Sequence, residues 1–258
     1  MEYFKTTKRN GMSFHGHVKY EVGKTVCLKE CGNPQLCTED VLHASKRAID
    51  ALLYAQSLDC NLFVVEGVSV VHDSHKDGFF SLKVVREVPD SQRDDIFGFR
   101  YTEALHPFNP MQNVHDVNET DIENIKKWVP VRNSVGNSVW ESVGNLVANL
   151  VRNSVWDSVG ASVWDSVGDS VGDSVWDSVR NSVGNSVWES VWAYIGSLFP
   201  AIQKWEYMEH EKGVYPFQPA VDLWKRGFIP VQIEDEWRLY HPVQGMKATC
   251  VYPKGDGE

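Results

Sequence analysis

The stretch NSVWDSVGASVWDSVGDSVGDSVWDSV (153–179) decides how this 258-residue chain is read, because it repeats one four-residue word. Valine occupies every fourth position from Val131 to Val191, sixteen times in succession, and Ile195 and Phe199 continue the register. The residue before each Val from 134 to 190 is Ser thirteen times and Leu twice. The residue before that is Asn, Asp or Glu at every step except Ala161, and after Val stands Gly, Trp, Arg or Ala. A fixed internal period sets architecture ahead of local propensity.

Two structures can use such a word. On an α-helix four residues turn about 400°, so the valine stripe drifts by about 40° per word and no single partner could cover it over the whole repeat. Ser, Val, Asn, Asp and Gly are also weak helix formers. A β-type solenoid takes the pattern more simply. Each word forms one short side. Val135, Val139, Val143, Val155, Val159, Val163, Val167, Val171, Val175, Val179, Val183 and Val187 point inward, and Asn/Asp-Ser turns each corner by side-chain-to-backbone hydrogen bonds. A second period agrees with this: Trp140, Trp164, Trp176 and Trp188 lie on one 12-residue grid, with Arg152 in the missing place. Three words per coil would stack them as an outward Trp/Arg ladder, with cation–π contact at Arg152. About five coils at a strand spacing of about 4.8 Å make a rod roughly 25 Å long. The expected fold class is an α+β N-terminal domain, a tetrapeptide-repeat β-type solenoid and a small α/β C-terminal cap. Helical repeat packing is the alternative.

The flanks set the domain boundaries. Residues 1–105 read as an α+β head. YEVGKTVCL (20–28) reads as two extended pieces around a Gly turn, and TEDVLHASKRAIDALLYAQSL (38–58) as a helix with Thr38 as N-cap. NLFVVEGVSVV (61–71) and FFSLKVVREV (79–88) read as strands joined by the hairpin loop HDSHKDG (72–78). Residues 106–130 form a linker and the short helix DIENIKKW, 131–192 the repeat, and 193–258 the cap, since solenoid ends need covering. In the cap, WAYIGSLFP is helical up to Pro200, and FQPAVDLWKRGFIPVQIEDEWRLYH reads as a helix, a Gly stop and two strands.

The net charge of −10 opposes nonspecific nucleic-acid binding, which needs Lys and Arg to displace counterions. No apolar run of about 18 residues is present to span a membrane. Five cysteines, an odd number, with no signal-peptide core, point to free thiols and a cytoplasmic setting. No P-loop, Rossmann glycine set or zincin motif occurs, and no cofactor is assigned. The segment GDSVG (168–172) matches a nucleophile elbow only by virtue of the repeat, without the strand–turn–helix context.

The head resembles an uncharacterised N-terminal module of phage and bacterial proteins, through YEVGKTV (20–26), LCTEDVLHASKRAIDALLYA (36–55) and VVREV (84–88). Tyr20, Gly23, Lys24, Cys37, His43, Tyr54, Arg86 and Glu87 stand at the pattern's places, while Val41 stands where Gly is usual. The repeat with WAYIGSLFP, KWEYMEHEKGVYPFQPAVDLWKRGF and WRLYH is similar to the C-terminal halves of proteins with the same SV words. The resemblance covers most of the chain and implies no known activity.

Candidate sites follow from residue types. His43, with Tyr20 and Lys24, could line a pocket. By analogy of length and order with an ADP-ribosyltransferase core, that pocket would act on NAD or another nucleotide. Cys27, Cys31, Cys37 and His43 form C-x3-C-x5-C-x5-H, a donor set for zinc but without a C-x2-C knuckle. His15 and His17, and His72 and His75, are pairs of solvated histidines by default. The Trp/Arg ladder is an interaction surface or simply stacking that stiffens the rod. The first functional expectation is a non-enzymatic scaffold binding a protein partner or a second copy of itself. An enzyme acting through the head and an acidic mimic of nucleic acid are the alternatives.

Overall fold

The computed structural model describes residues 1–112, 115–171, 173–234, 236–240 and 248–253. The chain divides into two units, Met1–Leu105 and His106–Glu258. Among the described residues no helix is long and apolar enough to cross a membrane.

In the first unit, strands β1 (Glu2–Thr7), β2 (Thr25–Cys27), β3 (Leu42–Ala44), β4 (Asn61–Glu66), β5 (Ser69–His72), β6 (Asp77–Phe79) and β7 (Ser81–Val88) form two antiparallel sheets. Their orders are β1-β4-β7-β2 and β3-β6-β5. The sheets meet where Phe4 and Ser45 exchange backbone hydrogen bonds of 2.7 and 2.9 Å. Tyr3, Tyr20, Leu42, Ala44, Phe63, Val65, Phe79, Leu82 and Val84 make one buried cluster. Short helices α1 (Ala48–Leu52), α2 (Arg93–Phe97) and α3 (Tyr101–Leu105) complete the unit. There Arg93, fully buried, donates to the carbonyls of Val88 and Cys60.

The expected helix over 38–58 shrinks to α1. Thr38 Oγ1 accepts the Asp40 N–H at 3.2 Å, a local turn in place of a helical cap. Leu42, His43 and Ala44 pair instead with Phe79, Gly78 and Asp77. A helical stripe and a strand edge compete for the same apolar residues, and cross-strand pairing overrides propensity here. The stretch 61–71 breaks at Gly67 into β4 and β5, and 72–78 closes the β5–β6 hairpin.

The second unit begins with α4 (Glu119–Trp128), opened by a capping box in which Asn118 and Asp121 satisfy each other's backbone N–H. The repeat that follows is helical. It forms α5 (Val135–Val143), α6 (Asn145–Val155), a π-helical turn over Trp156–Gly160, α7 (Ala161–Val171) and α8 (Asp173–Ser197). No strand lies in the described part of 131–192, so the β-solenoid expectation is overturned.

The physical reason is that the drift of the valine stripe is absorbed rather than avoided. Gly144, at φ +91°, ends α5 and restarts the register in α6. The π-turn carries fewer degrees per residue than an α-turn and rotates the stripe back. In the long α8 the stripe does wind, but different neighbours surround it: α5, α6, α7, β8 (Ile229–Ile233) and α9 (Gln218–Lys225). Val135, Val139, Val155, Val159, Val163, Val167, Val183 and Val187 are buried, Val143 is half-buried, and the side chains of Val171, Val175 and Val179 lie outside the described residues. Two of the serines beside them, Ser186 and Ser190, donate to the carbonyls of Ser182 and Val187, both at 2.8 Å.

Helix α8 runs through the expected repeat–cap boundary, with Trp192, Ala193, Tyr194 and Ile195 all buried. After α9, Gly227 at φ +80° stops the helix, and β8 pairs with β9 (Glu236–Tyr240), which pairs with β10 (Ala248–Pro253).

Candidate functional site

The expected Trp/Arg ladder is not a stack along coils. Trp140 meets Trp192 edge-on at 6.1 Å between centroids, and Trp188 meets both Trp156 at 5.2 Å and Trp192 at 5.8 Å. The Arg152 guanidinium does lie over the Trp188 ring, at 5.9 Å. The Trp164 ring fills the dent left by Gly184: a Cβ there would come within 2.7 Å of the indole. The side chain of Trp176 lies outside the described residues. The tryptophans thus form a seam between helices in which Gly and Trp, alternatives at one position of the word, interlock.

The expected head residues separate. Tyr20 is buried in the core, with its phenol pushed up by burial, and Lys24 is exposed and ion-paired with Glu21. Of the three, His43 lines the pocket formed with Lys5 and Lys76, and Tyr20 and Lys24 do not. The zinc set does not assemble: no group of three or more His, Cys, Asp or Glu could hold a metal among the described residues. Cys27 instead contacts the Ser81 hydroxyl at 3.4 Å, and the Cys37 N–H donates to His43 Nε2 at 3.1 Å, which occupies the lone pair a metal would need. Cys31 is half-buried with a free thiol. His17 stands 3.7 Å from Glu39, and His75 3.5 Å from Asp50.

The pocket around His43 has an empty volume of about 210 Å³, part of it open to solvent. Phe4, Lys5 and Thr6 of β1, His43 and Ala44 of β3, Ser45, Ala51, Tyr54 and Lys76 line it. The bridge between Phe4 and Ser45 brings β1 alongside β3 and so places Lys5 near His43. The β5–β6 loop supplies Lys76. Asp73 Oδ1 accepts the backbone N–H groups of His75 and Lys76, both at 2.8 Å, and this Asx turn holds the loop in shape.

Lys76 is 6% exposed. Its Nζ donates to Cys37 Sγ at 2.8 Å and lies 4.3 Å from the centre of the Tyr54 ring. Cys37 itself is exposed and has φ +64°, a left-handed conformation in which side chains other than glycine are strained. Lys5 is half-buried, with Nζ 5.4 Å from the Tyr20 ring centre.

The electrostatics are consistent. Burial first, then repulsion by Lys76, brings the Lys5 ammonium down to about 8. Burial, then Lys5 and Lys76, brings His43 down to about 4, so its imidazole is neutral at pH 7 and accepts from Cys37. Burial raises Tyr54 against the opposing pull of Lys76. The nearby acids have partners of their own: Asp77 accepts from Ser69 Oγ at 2.8 Å, and Asp50 faces Arg47 and His75. Neither Lys5 nor Lys76 has a carboxylate within 4.0 Å among the described residues. The arrangement is a small cationic pocket with a neutral imidazole and a thiol at its edge.

Lys5 and Lys76 escaped the reading of the sequence. The signal for Lys5 is its place in the inward alternation Tyr3-Lys5-Thr7; Lys76 carries none, since a lysine in a polar hairpin loop is ordinarily solvated. Comparison of the chain with protein-family models, curated proteins and solved structures gives no match.

Proposed function

We propose that the first unit binds a small anion, or the anionic group of a larger molecule, between Lys5 and Lys76, and that the helical repeat is the scaffold of the second unit. One observation carries the reading: two ammonium groups, one buried and one half-buried, line a single pocket without a carboxylate beside either among the described residues. An unpaired buried charge is costly, and a ligand of opposite sign removes that cost. Even with its solvent-open part counted, the space is only about 210 Å³, so what it offers an anion is two ammonium groups at a shallow lining and not an enclosing cavity. Sites that bury a drug-sized ligand have roughly 300–1,000 Å³, so the NAD-cleaving alternative finds little support. His43, neutral, offers orientation rather than charge.

The test is titration of the full chain with inorganic phosphate and, separately, acetate, followed by calorimetry and by NMR of the lysine side chains. Binding is expected to weaken as the pH rises through about 8, where Lys5 loses its charge next to Lys76, His43, Tyr20 and Tyr54. K5M is expected to weaken it by about tenfold, roughly 1.4 kcal/mol. Absence of any saturable binding of either anion, with the lysine signals unmoved, would end this reading.

A further inference from the structure

The thiol at the edge of the pocket differs from those of Cys27 and Cys60. Cys60 is buried, and its thiol is pushed up to about 11 by burial. Cys27 is exposed, and its sulfur contacts the hydroxyl of Ser81. Cys37 is exposed, and an ammonium donates to its sulfur at 2.8 Å. That ammonium belongs to a lysine that is 6% exposed, has no carboxylate within 4.0 Å among the described residues, and is directed at this sulfur. The contact pairs a solvent-accessible sulfur with a buried cation held in place by the Asp73 turn. The contact sets a buried cation against the sulfur, the kind of electropositive setting in which reactive cysteines occur.

We propose that Cys37 is a peroxide-reactive thiol, oxidised to the sulfenic acid with Lys76 as its counter-ion and proton donor. The Cys37 thiolate attacks one oxygen of hydrogen peroxide. The S–O bond forms as the O–O bond breaks. The departing hydroxide takes a proton from the Lys76 ammonium and leaves as water. Sulfur is oxidised, peroxide is reduced, and the products are a sulfenic acid and a neutral lysine amine. His43 acts as a positioning residue, since its Nε2 holds the Cys37 backbone N–H at 3.1 Å in the left-handed conformation. The sulfenic acid is the reversible step of the cysteine oxidation ladder, so a thiol reductant restores the site.

This inference goes beyond anion binding and shares Lys76 with it, so an anion held by Lys76 would compete with the Cys37 sulfur for that ammonium. The test uses the full-length chain in phosphate-free buffer with dilute hydrogen peroxide and dimedone, a sulfenic-acid trap, followed by peptide mass spectrometry. Cys37 is expected to be labelled at about ten times the rate of Cys27, a second exposed cysteine that serves as internal control. K76M is expected to remove that preference while the circular-dichroism spectrum stays native. Equal labelling of Cys37 and Cys27 in the wild-type chain overturns the proposal, and that comparison needs no variant to fold. A preference that survives in K76M overturns the role of Lys76. Because the trapping is done without phosphate or acetate, failure of anion binding and failure of thiol oxidation are read independently.

Discussion

Lys5 and Lys76 show how single residues acquire a role that their type does not announce. A lysine in a strand or a hairpin loop is a solvated residue by default; here the bridge between Phe4 and Ser45 and the Asx turn at Asp73 bring two of them to one pocket. His43 was legible as a residue of interest. Tyr20 and Lys24 were not its partners, because spacing along a chain does not report which face of the sheet a side chain takes. Gly67 makes the same point about the backbone. It separates β4 from β5, and a Cβ added there would lie 2.5 Å from the Ser81 carbonyl oxygen and 2.9 Å from the Phe79 ring. Backbone cannot give way cheaply, so Gly67→Ala is expected to lower the stability of the first unit by about 1–3 kcal/mol. Urea unfolding followed by far-ultraviolet circular dichroism tests this; an unchanged midpoint would mean that β4 and β7 have room to separate.

At the scale of elements, the repeat turns on how a tetrapeptide period is reconciled with a helix of 3.6 residues per turn. The solution is to end α5 at Gly144 after nine residues, insert one π-turn between α6 and α7, and surround α8 with several neighbours. The same device makes the variable position of the word meaningful: a Trp on one helix enters the dent left by a Gly on another. Two glycines of that position therefore respond oppositely to one substitution. At Gly184 a Cβ would clash with the Trp164 indole at 2.7 Å, whereas at Gly136 the nearest atom, in Trp192, is 3.9 Å away. Alanine is the better helix former by about 1 kcal/mol. Gly136→Ala is thus expected to raise the unfolding midpoint, and Gly184→Ala to lower it by an overpacking cost of about 1–3 kcal/mol that exceeds this gain. Midpoints that move in the same direction would show that the seam does not interlock.

At the scale of the molecule, the two units should answer pH with opposite signs. In the first, His43 titrates at about 4 in the folded state against 6.5 unfolded. Between those values the unfolded chain binds more protons, so stability falls as the pH drops from 6.5 towards 4. In the second, Glu189 is mostly buried, 3.7 Å from Arg132, and burial raises it from 4.5 to about 7 despite that partner. Here the folded chain binds more protons across the window, so stability falls as the pH rises from 4.5 to 7. All ten tryptophans lie at or beyond Trp128, in the second unit, so tryptophan fluorescence follows that unit alone. Glu189→Gln is expected to stabilise it at pH 8 by roughly 1–2 kcal/mol and to flatten its pH dependence. A steeper profile in the variant would reverse the assignment.

What the sequence by itself determined is the local order. The inward position of valine, the α4 helix with its cap, the helix–Gly–strand–strand run of the C-terminal segment and the β5–β6 hairpin all follow from interactions between residues close in the chain. Only the tertiary structure decided whether the SV word became coil or helix, and whether residues 42–44 became helix or strand. In both cases the local preferences are nearly balanced, and the outcome rests on what lies opposite: Phe79, Gly78 and Asp77 for β3, and the helices and β8 around α8 for the repeat. The pocket belongs to the same class. The shifts at Lys5 and His43 exist only once separate strands and a loop have been brought together, because desolvation is a property of the surroundings and not of the residue.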